Sequence, residues 1–298
     1  MTRIDRRPVM ALALTLLAIE IAALAAPFPI AVTDDTGTLV AIAAEPQRII
    51  SLAPSHTEIL YALGLGDRLV GVTAYCNHPP EATSIPHVGG FSDVDFERVV
   101  GLSPDLVFAS TIHIAEVVPR LQALGITVFV IHPPTVTAVL DAILTVGMVT
   151  GRTIPAATLV AGLQARIDAV LGAIDGATPP TVFWELGPDL YTAGPGSFVD
   201  DLIRLAGGAN IAADALSQWP QLSVEAIVIA DPEIVVLADH NYGETADRVA
   251  ARPGWAEIAA VAAGRVVELT DDDIFSRPGP RIVDALEFLA RQFHPDRF

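Results

Sequence analysis

Aromatic residues make up only 6% of this 298-residue chain, and several fall where loops are expected. Tyr75 sits in Ala74-Tyr75-Cys76-Asn77-His78-Pro79-Pro80, Phe91 in Gly89-Gly90-Phe91-Ser92, and Trp219 beside Pro220. Phe275 and Arg277 share the last loop before a C-terminal helical pattern, and Trp184 closes the apolar run Thr181–Phe183. Such a set suits recognition rather than bond-making. Apolar and π faces on two sides hold a flat ring, and a few polar groups at its rim fix its orientation. Tyr75, Phe91, Trp219 and Phe275 can supply the faces and Arg277 the hydrogen bonds. Trp184, at a strand end, fits a packed core as well as a ligand.

Catalytic patterns are missing. There is no G-x-S-x-G elbow and no P-loop lysine motif, and Gly64-x-Gly66 lacks the third glycine of a dinucleotide fingerprint. The histidines His56, His78, His87, His113, His132, His240 and His294 show no i, i+4 pair, no H-x-H and no H-E-x-x-H. A dedicated zinc site needs three converging ligands, so no metal site and no cofactor are predicted. His113 and His132 follow strand ends and could hydrogen-bond a ligand or ligate a ligand's metal from its axial side; solvated loop positions suit them equally. Asp271-Asp272-Asp273 could hold a cation or simply be solvated. Cys76 is the only cysteine, which excludes an internal disulfide and a thiolate cluster. A metal-dependent α/β enzyme is the reading these residues fit least.

Lys and Arg number 17 and Asp and Glu 35, so the net charge is 17 − 35 = −18, and nucleic acid is not an expected partner. Mean hydropathy is +0.50, which excludes a disordered chain. Arg3, Arg6 and Arg7 precede the apolar run Val9–Ala26, which ends near Ala23-Leu24-Ala25, an A-x-A pattern. Residues 1–26 are therefore predicted to be a signal peptide, placing the protein outside the cytoplasm, in the periplasm or at the cell surface. An uncleaved anchor is the alternative. No later segment reads as a membrane span.

The loops need elements to hold them. Arg48–Thr73 begins with an apolar run, and Ser55 with Glu58 three residues later reads as a capping box. Ile59, Leu60, Leu63 and Leu65 form an apolar face, Gly64 and Gly66 end it, and a strand follows. This strand–helix–strand start predicts a parallel α/β lobe that binds ligands at the carboxyl ends of its strands. The pattern then repeats. Glu97–Ala109 matches Glu225–Leu237 at a constant offset, 232 − 104 = 128, each copy a short helix, a proline turn, an acid and a buried strand. Leu124-Gly125 matches Ala263-Gly264 at an offset of 264 − 125 = 139, and Glu58–Gly64 matches Asp201–Gly207. Between the copies, Ile154–Asp175 carries Leu159, Leu163, Ile167, Val170 and Leu171 at helical spacing, a helix of about 30 Å. The predicted organisation is an N-terminal lobe over 27–152, an interlobe helix over 153–176 and a C-terminal lobe over 177–298.

The stretches LAPSHTEILYALGLGDRLVGVT, Pro79-Pro80 and VGGFSDVDFERVVGLSPDLVFA resemble the class of ABC-transporter substrate-binding proteins that take cobalamin, iron siderophores and haem. The resemblance runs from about Pro46 to about Phe293. Trp219-Pro220-Gln221-Leu222-Ser223 and Ser276-Arg277-Pro278-Gly279-Pro280-Arg281 are most similar to the cobalamin-binding members. The resemblance implies two similar α/β lobes with parallel-rich sheets, one long interlobe helix and a ligand cleft between the lobes. It implies no catalysis, a monomer, and capture of a corrinoid for delivery to a membrane permease, with iron-siderophore or haem binding as the alternative. It further implies one docking acid on each lobe for arginines of the permease. Glu58 matches the first, and Asp201 the second, where the family often has Glu.

Overall fold

The computed structural model describes residues 28–298, so the predicted signal peptide lies outside the described residues. The described chain divides into two compact units. Unit 1 takes the residues up to His132 together with Asp141–Val160, and unit 2 takes Pro133–Leu140 and Ala161–Phe298.

Unit 1 opens with an antiparallel hairpin, β1 (Ile30–Thr33) and β2 (Leu39–Ile42). Its turn is held by the Asp34 carboxylate, which accepts the Thr36 and Thr38 amides at 3.0 and 3.1 Å. Next come β3 (Ile49–Ser51), α1 (Pro54–Ala62), β4 (Leu69–Val72), α2 (Phe96–Gly101), β5 (Leu106–Ala109), α3 (Val117–Ala123) and β6 (Val128–Val130). The four strands β3 to β6 form a parallel sheet in the order β4-β3-β5-β6. Parallel strands covered on both faces are continuous apolar runs, and Leu106–Ala109 is buried at every position. Ile50, Leu52, Val99, Val107, Leu121 and Val130 meet in its core.

The chain continues through α4 (Val136–Val149) and α5 (Thr153–Ala173); the division between units cuts α4 after Leu140 and α5 after Val160. Unit 2 contains β7 (Thr181–Glu185), α6 (Phe198–Leu205), β8 (Ala209–Asn210), α7 (Val224–Ala230), β9 (Ile234–Leu237), α8 (Ala246–Ala250), α9 (Ala259–Ala262), β10 (Val266–Glu268), α10 (Asp273–Ser276) and α11 (Ile282–Phe293). Its parallel sheet runs β10-β9-β7-β8, the same order as in unit 1 once β3 to β6 are matched with β7 to β10. The internal repeat is thus structural: β5 and β9 are offset by 234 − 106 = 128 residues.

Two expectations need correction. The capping box at Ser55 does not form: α1 starts at Pro54, Ala53 is its N-cap, and no side chain caps it. Proline fits the first helical turn, where its missing N–H goes unused, and this starts the helix ahead of Ser55. Ser197, by contrast, does cap α6, accepting the Asp200 amide at 3.1 Å. The second correction concerns α5, which by length and composition is apolar enough to cross a membrane, with mean hydropathy 1.3. Its Arg166 nevertheless grips α11, reaching Glu287 at 2.8 Å and Asp284 at 2.6 Å, pairings that suit a helix packed on a globular unit.

Candidate ligand-binding site

In unit 1 the candidate residues gather in loops at the carboxyl ends of β4 and β5. Tyr75, two residues beyond Thr73, is 60% exposed, and its ring lies beside Gly90. The base of this loop is pinned by a buried hydroxyl and thiol cluster. Thr57 Oγ1 donates to Ser51 Oγ at 2.8 Å and lies 3.1 Å from Cys76 Sγ, which is 3.2 Å from Thr73 Oγ1. Cys76 is therefore structural. The Phe91 loop turns at Gly89, whose φ is +106°; a Cβ there would meet the Asp93 carbonyl oxygen at 2.3 Å, so only glycine fits.

His113 holds that loop and does not face a ligand. It is 1% exposed; its Nδ1 accepts the Ser110 amide at 2.9 Å, so Nε2 carries the proton and donates to the Phe91 carbonyl oxygen at 2.6 Å. Burial pushes its pKa down, which keeps it neutral. With both nitrogens committed, it has no lone pair for a ligand's metal, and its predicted contact role becomes a positioning role. Phe91 is half-buried, its ring edge-on to His113 at 5.5 Å. His132 is exposed, and its amide donates to Asp35 at 2.5 Å.

In unit 2 two predicted contacts belong to the core. Trp184 is 1% exposed and Phe275 4%, with ring centroids 6.1 Å apart, and Phe275 also packs on Phe288 at 5.6 Å. Phe275 lies on α10 and not in a loop, because Asp273–Ser276 closes a helical turn that directs its ring inward. Arg277 pairs with Asp273 at 2.6 Å, Arg281 approaches Asp271 at 3.5 Å, and Asn241 donates to Asp272 at 2.9 Å. The acidic loop thus spends its charge on neighbouring side chains, and no metal-holding cluster occurs among the described residues. Trp219 is 47% exposed, as a ligand platform requires. Its loop is fixed by the Thr192 amide on the Pro220 carbonyl oxygen and the Gly194 amide on that of Gln218, each 2.9 Å. Tyr191, 42% exposed and bridged to Gln221, lies at the same place and adds a residue to the predicted set. Its setting after β7, in Gly187-Pro188-Asp189-Leu190-Tyr191, is the loop signal that marks Tyr75.

The two predicted docking acids turn inward. Glu58 is 4% exposed, on a helix buried from Ser55 to Leu60. Asp201 is 8% exposed; its Oδ2 accepts the Val136 amide at 2.8 Å, and its Oδ1 pairs with Arg204. Neither side chain offers a carboxylate to a partner. The repeat contains another acidic pair, Glu97 and Glu225, both exposed and 225 − 97 = 128 residues apart. Each is the second residue of a short helix capped in the same way: Asp95 accepts the Arg98 amide at 3.1 Å, and Ser223 the Ala226 amide at 3.2 Å. An exposed valine follows each acid by three residues, Val100 and Val228.

The profile of the family described as periplasmic binding protein matches residues 49–272. The chain belongs to this family. A protein named cobalamin-binding protein from Halobacterium salinarum is 36% identical over 280 residues, 91% of this chain and 75% of the relative. Among solved structures, the periplasmic vitamin B12 binding protein of Vibrio cholerae superposes with TM-score 0.74 at 28% identity, covering 84% of this chain and 98% of that one. The periplasmic heme-binding protein of Roseiflexus sp. RS-1, in apo form, gives TM-score 0.75 at 30% identity, covering 85% and 99%. This periplasmic binding protein is accordingly an exported, non-enzymatic solute-binding component of an ABC import system.

Proposed function

We propose that this binding protein captures cobalamin or a related corrinoid and delivers it to its ABC importer. The observation that carries the reading is the pair of exposed aromatics, Tyr75 and Trp219, on carboxyl-end loops of the two parallel sheets. Tyr191 extends the unit 2 platform and Phe91 the unit 1 platform, and each platform by itself offers π faces that suit a flat macrocycle. Arg277 and Arg281 already have acidic partners, which suits a neutral ligand better than an anionic one. The cobalamin-binding relative supports the same ligand class. The haem-binding neighbour supports haem as the second reading, with ferric siderophores beside it.

The lobes in this reading are 27–152 and 177–298, joined by the helix over 153–176, and the protein acts as a monomer. Permease contact passes from the buried Glu58 and Asp201 to the exposed Glu97 and Glu225. Titration of the purified protein with cyanocobalamin, cobinamide, haem and a ferric siderophore tests the ligand. Saturable quenching of tryptophan fluorescence by the two corrinoids is expected. No corrinoid binding at micromolar protein would overturn the assignment.

A further inference from the structure

The carboxyl end of the unit 2 sheet carries a charge cluster that ligand stacking does not use. Strand β7 ends at Glu185, which is fully buried. Arg252 grips it with two bonds, Nη1 to Oε2 at 2.7 Å and Nη2 to Oε1 at 2.5 Å, and reaches Glu244 at 2.8 Å. The guanidinium also lies 4.6 Å from the Trp255 ring centroid, so it is held on two sides. Asp239 follows β9 by two residues and is 1% exposed, yet neither carboxylate oxygen accepts a bond from another residue. Three carboxylates, from β7, from the segment after β9 and from the turn before α8, therefore gather around Arg252, and Arg248 also reaches Glu244 at 3.2 Å. The nearby His240 Nδ1 lies 3.0 Å from the Glu244 carbonyl oxygen and 3.7 Å from Glu268, whose other oxygen accepts the Ala246 amide at 2.7 Å. Arg248 is paired with Glu244, and Arg252, already shared by Glu185 and Glu244, is the cation that acts on Asp239.

We propose that Asp239 is a specificity-determining residue that sets the charge preference of this end of unit 2, favouring neutral or cationic ligands with amide donors over anionic ones. The inference rests on the corrinoid reading for its ligand. A buried carboxylate without donors projects its field through a medium of low polarity, and parallel α/β sheets bind ligands at this end. Burial, reinforced by Glu185, pushes the pKa of Asp239 up to about 6, so the charge is present at neutral pH and fades on acidification.

The test compares cyanocobalamin with its monocarboxylic acid derivative, which differ by one rim charge, on the wild type, Asp239→Asn and Asp239→Glu. At pH 7.5 the wild type should bind the acid roughly tenfold more weakly, the effect of one unit charge across about 10 Å at an effective dielectric near 20. Asp239→Asn should abolish the gap, Asp239→Glu should keep it, and pH 5 should narrow it in the wild type. An equal gap in wild type and Asp239→Asn overturns the proposal. A second readout needs no ligand: between pH 4 and 6 the melting temperature of the wild type should stay nearly level, because the stability Asp239 takes away offsets what His56 returns, and that of Asp239→Asn should rise. If neither corrinoid binds, the corrinoid reading fails, and this melting curve still decides whether Asp239 carries the buried charge; identical curves sink the inference.

Discussion

Ser103 and Asp231 share a left-handed backbone conformation, with φ of 46° and 43°, each immediately before a proline. They are 231 − 103 = 128 residues apart, and each turns the chain from a short helix into a fully buried strand. The left-handed region costs an L-residue about 1–2 kcal/mol, and glycine removes that cost while losing about 0.5–1 kcal/mol in chain entropy. Ser103→Gly should therefore stabilise the protein by up to about 1 kcal/mol. Asp231→Gly should not, because Asp231 Oδ1 accepts the Ala259 amide at 2.8 Å and the substitution deletes that bond. Urea denaturation midpoints decide the matter, and equal responses at the two sites would contradict the argument.

Glu97 and Glu225 are exposed, whereas Glu58 and Asp201 are buried, and charge reversal separates the pairs. Glu97→Lys with Glu225→Lys should abolish uptake in cells while leaving ligand affinity and melting temperature close to wild type, since surface substitutions typically cost within about 0.5 kcal/mol. Glu58→Lys should instead lower the melting temperature, because it places an ammonium where a buried carboxylate stood. Unimpaired uptake by the double variant would remove the docking assignment.

Trp219 and Trp184 give opposite expectations. Trp219→Ala, at a half-exposed platform, should weaken ligand binding at least tenfold with little change in melting temperature. Trp184→Phe should leave affinity unchanged. It should cost little stability for a core substitution, because its Nε1 has no hydrogen-bond partner to lose and a smaller ring keeps the contact with Phe275. Calorimetric titration and thermal melts on both variants check this, and a Trp184→Phe protein with lost affinity would return that residue to the ligand.

The repeat and the parallel strands were legible in the sequence because both rest on local signals. Leu106–Ala109 and Ile234–Leu237 are unbroken apolar runs, and Gly125 and Gly264 mark the turns before the last strands with φ of +77° and +67°. Orientation was not legible. Trp184 and Trp219 are the same residue type near loops, and only the packing of Phe275 and Phe288 decides which one is core. Glu58 and Asp201 matched by position along similar helices, but helix faces are assigned by what packs on them. Pro54 started α1 early, and the buried side of that helix took in Glu58. The bond from His113 to the Phe91 carbonyl oxygen joins residues 22 positions apart, beyond any short spacing rule.

His56 makes the fold sensitive to acid. It is fully buried on α1; its Nε2 donates to the Ile131 carbonyl oxygen at 3.2 Å, and its Nδ1 has no partner. Burial lowers its pKa from 6.5 to about 4, with a smaller push from His113 and His132. The unfolded chain binds a proton near pH 6.5 and the folded protein resists until about 4, so the unfolded state holds more protons between these values. The contribution of His56 is complete above pH 6.5 and is lost as pH falls towards 4, by at most about 3 kcal/mol. Asp239 has the opposite sign, its folded pKa lying above the unfolded one, so it takes stability away as pH rises from 3.8 to about 6. The two slopes oppose each other and leave a shallow wild-type profile. His56→Gln, which keeps a donor for Ile131 and cannot titrate, should expose the Asp239 slope, and melting temperature should then fall with rising pH across that range. Asp239→Asn should expose the His56 slope, and melting temperature should rise. Two variants with parallel profiles would show that neither group titrates as its surroundings dictate.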